Sequence, residues 1–167
     1  MPVRVAVSNT GESFSGALRV RLDSSGGFEN TNYRTPLDLP RGARKQVFVY
    51  IAPEPYTRDL RAEVLDANGR VMASRSFSLR MAEPEDVLLA VVTESPLGAV
   101  DLTAHVPGVG TAYQVNWRVA HLPPLAEALA GLDVLLIHDA DTGALSVEQA
   151  QALERWVSAG GHLLVAG

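Results

Sequence analysis

The sequence predicts two domains, an all-β sandwich followed by the opening part of an α/β domain built on a parallel sheet. Three observations carry this. Apolar residues recur at every second position from Val3 to about Arg80, the rhythm of strands with one covered face. Beyond Met81 the apolar runs become continuous, as in strands covered on both faces. Stretches with helical spacing lie between those runs, the alternation expected of a parallel sheet with crossover connections. The boundaries follow: a β-sandwich domain over residues 1–81, a short polar linker over 82–86 and a partial α/β domain over 87–167.

In the first domain, Val3, Val5 and Val7 alternate with Arg4 and Ala6 before a turn at Asn9, Thr10 and Gly11, residue types that suit tight backbone reversals. A second strand places Leu18, Val20 and Leu22 on a covered face and Arg19 and Arg21 on a face toward water. Ser24 to Gly27 break that strand, Phe28 to Leu39 hold one or two short strands, and Pro40, Arg41 and Gly42 break the chain again. Gln46 to Ile51 is the strongest β run, rich in β-branched and aromatic residues, and Pro53 and Pro55 end it. Leu60 to Leu65 and Val71 to Leu79 form a last pair joined through Asp66 to Gly69, whose Asn68-Gly69 step is a strong hairpin signal. Six or seven short strands with no helical pattern predict a sandwich of immunoglobulin-like architecture.

In the second domain, Asp86 to Thr93 is an unbroken apolar run and Ala112 to Val119 a second strand. Leu125, Ala128, Leu129 and Leu132 have helical spacing behind Pro123 and Pro124, where proline suits a helix start. Asp133 to His138 is another buried strand. A second helix begins at Ser146, with Gln149 placed to complete a capping box. Its predicted apolar face is Ala150, Leu153, Trp156 and Val157, and Gly160-Gly161 ends it. His162 to Ala166 is the last strand. Two helices cannot cover both faces of four strands, so a partner surface is expected, met by self-association or by a further C-terminal portion of the same protein.

Composition excludes several function classes. The net charge of −5 argues against nucleic-acid binding, which needs a basic stripe. Arg41, Arg44 and Lys45 form the one basic cluster, read as a solvated turn entering a strand. With no Cys there is no disulfide, thiolate metal site or Cys nucleophile in these residues. No basic start with an apolar run marks a signal peptide, and no apolar stretch approaches the ~18–20 residues of a membrane helix, so membrane attachment is expected only through segments outside this chain.

Ligands of open parallel sheets collect at the carboxyl ends of the strands. Thr93 and Glu94 follow one buried strand, and His138, Asp139 and Asp141 follow another, so these five are the candidate ligand-binding residues. They could hold a cation or serve as an acid–base pair. The plainer reading, which is favoured, is that Asp139, Asp141 and Thr142 shape the loop by bonding backbone amides. Gly108-Val109-Gly110 lacks a third glycine and precedes a strand, so no phosphate role is assigned. Ser95 lacks the Gly-x-Ser-x-Gly elbow that would activate it. His105, His121 and His162 are isolated along the chain, and Trp117 and Trp156 are expected in the core. No catalytic residue, metal ligand or cofactor is assigned.

Four features occur together: the run Asp133 to Asp139, the Leu145-Ser-Val-Glu-Gln helix start, Trp156-Val157, and Gly160-Gly161 leading into His162 to Gly167. Over these roughly 35 residues the chain resembles the class I glutamine amidotransferase-like superfamily, most of all its non-amidotransferase, uncharacterised membrane-associated bacterial branches. The resemblance implies a truncated flavodoxin-like, amidotransferase-like sheet. It also implies a setting in a large envelope protein, outside the cytoplasmic membrane. Amidotransferases carry their Cys after a later strand, and no Cys occurs here, so no catalytic role transfers. The expected function is a non-catalytic binding or scaffolding portion of a larger bacterial envelope-associated protein. The alternative is a ligand-binding or hydrolytic domain with its site at the carboxyl ends of the parallel strands.

Overall fold

The computed structural model describes residues 1–24, 31–55, 57–105 and 110–166. The predicted break at Ser25 to Gly27, the start of the Phe28 run and Gly108-Val109 lie outside the described residues. Backbone contacts divide the chain after Met81 into two units, Met1–Met81 and Ala82–Gly167.

The first unit is wholly antiparallel. Its strands are β1 (Pro2–Ser8), β2 (Phe14–Ser24), β3 (Thr31–Leu39), β4 (Arg44–Tyr50), β5 (Thr57–Asp66) and β6 (Val71–Ser78). β1 pairs with β4, and the other four form a sheet in the order β3-β2-β5-β6. One core joins the two sheets: Leu18, Val20, Leu22, Leu37, Leu39 and Leu60 from the larger, Val49 from the smaller and Ile51 just after it. Val3, Val5 and Val7 pack against it, so the period-two rhythm marks the inward face as expected. Pro36 sits inside β3, which is tolerated because β3 is an edge strand.

The outer face is less open than alternation alone predicts. Arg19 lies opposite Glu63 in the β2–β5 register and its Nε donates to Glu63 Oε2 at 2.6 Å, and Glu63 is buried. Arg21 donates to Asp23 at 2.7 Å. The long arginine stems lie over the sheet while carboxylates take up their charge. The β5–β6 hairpin also refines the Asn68-Gly69 reading. Among described residues Gly69 takes positive φ (81°) and Asn68 does not, while Asp66 Oδ1 accepts the amides of Asn68 and Arg70, both at 2.9 Å. This is a three-residue turn with the left-handed position at Gly69, not a two-residue one.

The second unit holds a parallel sheet of β7 (Val87–Val92), β8 (Ala112–Trp117), β9 (Val134–His138) and β10 (His162–Ala166), in the order β10-β9-β7-β8. Leu89 to Val92 of the central strand are all buried, which explains the unbroken apolar run. Ala90, Val92, Leu135 and Ile137 pack with Val119, Leu122, Leu129, Leu153 and Trp156 on one face. On the other face Gln114 fixes the 100–102 segment, accepting the Leu102 amide and donating to the Val100 carbonyl, both at 2.8 Å.

The described residues contain one α-helix, α1 (Val147–Ser158), and not two. The segment behind Pro123-Pro124 forms a 3-10 turn at Ala126–Ala128, with Leu129 N bonded to Ala126 O at 2.9 Å. Between those prolines and Gly131 too few residues remain to repay the cost of nucleating an α-helix. Ala128 and Leu129 are still buried and Leu132 packs beside them, but Leu125, one 3-10 turn before Ala128, is left exposed, so the predicted stripe is only partly covered.

Helix α1 starts with the expected box: Ser146 Oγ accepts the Gln149 amide at 3.2 Å, and Gln149 Oε1 accepts the Ser146 amide at 2.9 Å. Its buried face is Gln149, Ala152, Leu153 and Trp156, one step from the predicted stripe, and Val157 is exposed. Among the described residues no helix is long and apolar enough to cross a membrane.

Candidate functional site

The strand order reverses between β7 and its neighbours: the chain moves from β7 to β8 on one side, then to β9 on the other. Connections from such adjacent strands leave the sheet in opposite directions, and their carboxyl ends flank a crevice. The loops after β7 and β9 are tied there by a backbone bond from the Glu94 amide to the Asp139 carbonyl at 3.2 Å. Asp139 has φ 49°, the one positive φ outside glycine among the described residues. Asp is among the residues that tolerate this region.

A pocket of about 370 Å³ opens beside this bond, lined by Glu94, Asp139, Asp141 and Thr142 on its polar side and by Ile137, Ala140, Val165 and Ala166. Three of the five candidates therefore share one pocket. The other two do not line it. Thr93 is 3% exposed, its amide held by the Trp117 carbonyl at 2.9 Å and its Oγ1 accepting the Ser95 amide at 3.3 Å. His138 is exposed and shares the register parity of Val134 and Leu136, the face opposite Ile137. Asp141 does what the plainer reading expects: its Oδ1 accepts the Gly143 amide at 2.9 Å and starts the Thr142–Ala144 turn.

Three carboxylates around an open pocket with one apolar wall can attract an ammonium or guanidinium group, or accept hydrogen bonds from hydroxyls. Among the described residues no group of three or more His, Asp or Glu side chains is disposed to hold a metal ion. Sequence reasoning missed Val165 and Ala166, which reach the pocket because β10 pairs in register with β9, Val165 opposite Ile137. No local motif signals that pairing.

The remaining candidates take structural places. Trp156 is buried in the core and Trp117 packs against it. His121 Nδ1 accepts the Arg118 amide at 3.3 Å, His162 Nδ1 lies 3.2 Å from the Asp133 carbonyl, and the His105 side chain is outside the described residues. Arg44 and Lys45 are exposed at the start of β4, just after the Arg41-Gly42 turn.

A second concavity, which sequence reasoning did not anticipate, lies in the first unit. It is a groove of about 520 Å³ walled by Val3 to Val7 of β1 and floored by Leu18, Ala62, Val64, Ala73, Arg75 and Phe77.

Comparison with known proteins adds the following. No curated protein matches the chain. Among solved structures it is similar to a Paenibacillus sp. cycloisomaltooligosaccharide glucanotransferase complexed with cycloisomaltoheptaose, at 11% identity and a TM-score of 0.35. That alignment covers 99% of this chain and 25% of the other, so the chain spans about a quarter of that structure's length. Residues 1–80, which make up nearly all of the first unit, match the family model of a domain of unknown function (DUF8726).

Proposed function

We propose that the chain is a non-catalytic binding or scaffolding portion of a larger bacterial envelope-associated protein. In this reading an immunoglobulin-like sandwich precedes a flavodoxin-like sheet of the amidotransferase-like kind. The carrying observation is two exposed sheet edges that are unpaired among the described residues. β6 is exposed at every position, with Met72 and Phe77 both at least half open, and β10 exposes Leu164 (54%) and Val165 (68%) on its two opposite faces. Free strand edges carrying large apolar side chains favour association with further protein, whether a second copy or another portion of the same polypeptide. The resemblance at Asp133 to Asp139 and Gly160 to Gly167 supports the envelope setting. Fractionation of cells expressing the full-length product is expected to place it in the envelope, and a purely cytosolic product would overturn that part. Light scattering at high concentration tests association, and a clean monomer would count against a second copy.

A second reading is favoured by the pocket at the ends of β7 and β9: a ligand-binding domain whose Glu94, Asp139 and Asp141 engage a cationic ligand. Titration with a short alkyl diamine, followed by amide NMR shifts, is expected to move the 93–95 and 139–142 signals together. Absence of saturable shifts there would sink it.

A further inference from the structure

We infer that the groove beside β1 receives one extended strand from a partner polypeptide, which adds to the free edge of β1 and carries apolar residues at alternate positions with a carboxylate opposite Arg75. This deepens the binding reading above and rests on it. Among the described residues β1 is bonded to β4 along one edge only, and its other edge forms the groove wall from Val3 to Val7. The floor is the inner face of the larger sheet. Ala73, Arg75 and Phe77 lie opposite Val64, Ala62 and Leu60 in the β5–β6 register, so they point toward the core side.

Phe77 is nevertheless 50% exposed, because among the described residues the smaller sheet has two strands and the larger has four. A strand about 4.8 Å from β1 would lie over this floor and cover Phe77 and Ala73, with its alternate side chains facing down. Adding a strand to the outer edge of β6 would leave the same residues open. Hence β1 is the edge whose extension covers this floor.

Charge identifies the partner further. The Arg75 side chain has no ion pair or hydrogen bond among the described residues, whereas Arg19 and Arg21 both engage carboxylates. An inward-facing cation on an edge strand discourages indiscriminate pairing, and a carboxylate on the incoming strand relieves it. A second copy fits poorly. Its β1 arrives with its own four-stranded sheet beneath it, where this copy's floor already stands, so the groove suits a lone strand.

The test uses the whole ¹⁵N-labelled 167-residue chain and eight-residue peptides of alternating valine and threonine, with one valine replaced by glutamate or, in the control, lysine. The glutamate peptide is expected to slow hydrogen exchange at the β1 amides that do not face β4. The lysine peptide should bind roughly fivefold or more weakly. R75E is exposed and leaves the core untouched, and it is expected to reverse that preference. Backbone N-methylation of the peptide should abolish binding.

Equal binding of the two peptides, survival of binding after N-methylation, protection confined to β6, or no binding at about 1 mM would each overturn the inference. If that happens while the full-length product still fractionates with the envelope, the groove fails and the broader reading stands. A cytosolic product with β1 still protected would do the opposite, removing the envelope setting and leaving the groove in place.

Discussion

Gln149 Nε2 donates to the Leu122 carbonyl at 2.8 Å and to the Val119 carbonyl at 3.0 Å, while its Oε1 accepts the Ser146 amide. One buried amide thus caps helix α1 and holds the turn on which that helix packs. Gln149→Ala is expected to destabilise the second unit by about 1–3 kcal/mol, since the Leu122 carbonyl loses this donor and the Val119 carbonyl keeps only its bond from the Leu122 amide. Gln149→Met, which refills the space but cannot donate, should recover only part of this. Both tryptophans, Trp117 and Trp156, lie in the second unit, so urea unfolding followed by tryptophan fluorescence reads that unit alone.

At the helix's other end, Gly160 and Gly161 have different reasons to be glycine. Gly160 has φ 104° with open space around it, whereas a Cβ on Gly161 would stand 2.2 Å from Trp156 Cε2. Gly160→Ala should therefore cost about 1–2 kcal/mol of backbone strain. Gly161→Ala should cost more than about 2 kcal/mol, because the buried indole has nowhere to retreat. Equal Tm shifts for the two variants would contradict this.

In the first unit, Asn9 links two chain crossings between the sheets. Its Nδ2 donates to the Leu39 carbonyl at 2.9 Å and to the Glu12 carbonyl at 2.6 Å, and its Oδ1 accepts the Gly11 amide at 3.0 Å. Asn9→Ala is expected to cost about 1–2 kcal/mol and to speed hydrogen exchange at Gly11. Asn9→Asp keeps the acceptor but not the donor, so it should restore Gly11 protection without restoring stability.

The Glu148 carboxyl is held below the ordinary glutamate range, first by its own backbone amide at the helix start and then by the Ser146 hydroxyl, which donates to Oε2 at 2.8 Å. A lowered folded value means the carboxylate favours the folded state above the unfolded-state pKa. That contribution fades as pH falls through the folded value. Carboxyl NMR titration should show this directly, and Ser146→Ala should raise the midpoint only part of the way. The Glu148→Gln variant should show a shallower loss of helix stability in acid.

How much of this was legible in the sequence depends on whether the cause was local. The Ser146–Gln149 box, the Val3-Val5-Val7 rhythm and the buried run at Leu89 to Val92 each follow from neighbouring residues, and each appears where expected. The Leu125 to Leu132 spacing misled, because a step of three serves a 3-10 turn as well as a helix and the flanking Pro124 and Gly131 decide between them. The buried face of α1 shifted because Gln149, polar by type, finds its partners about thirty residues back. Strand order is not local at all. It brings Val165 against Ile137 in the pocket and leaves the edge of β1 open over Phe77.

Asp139 separates loop shape from binding. Its φ of 49° costs a non-glycine residue up to about 1 kcal/mol, so Asp139→Gly should raise stability slightly and Asp139→Val should lower it by more than that. Its carbonyl bond from the Glu94 amide survives either change, since the backbone makes it. Asp139→Asn keeps the loop and removes the charge. If the pocket binds cations, Asp139→Asn should weaken the diamine response several-fold with an unchanged Tm, and Asp141→Asn should act in the same direction. A diamine response untouched by both changes would leave these carboxylates with loop architecture alone, because neither substitution disturbs the pocket's Ile137, Ala140 and Val165 wall.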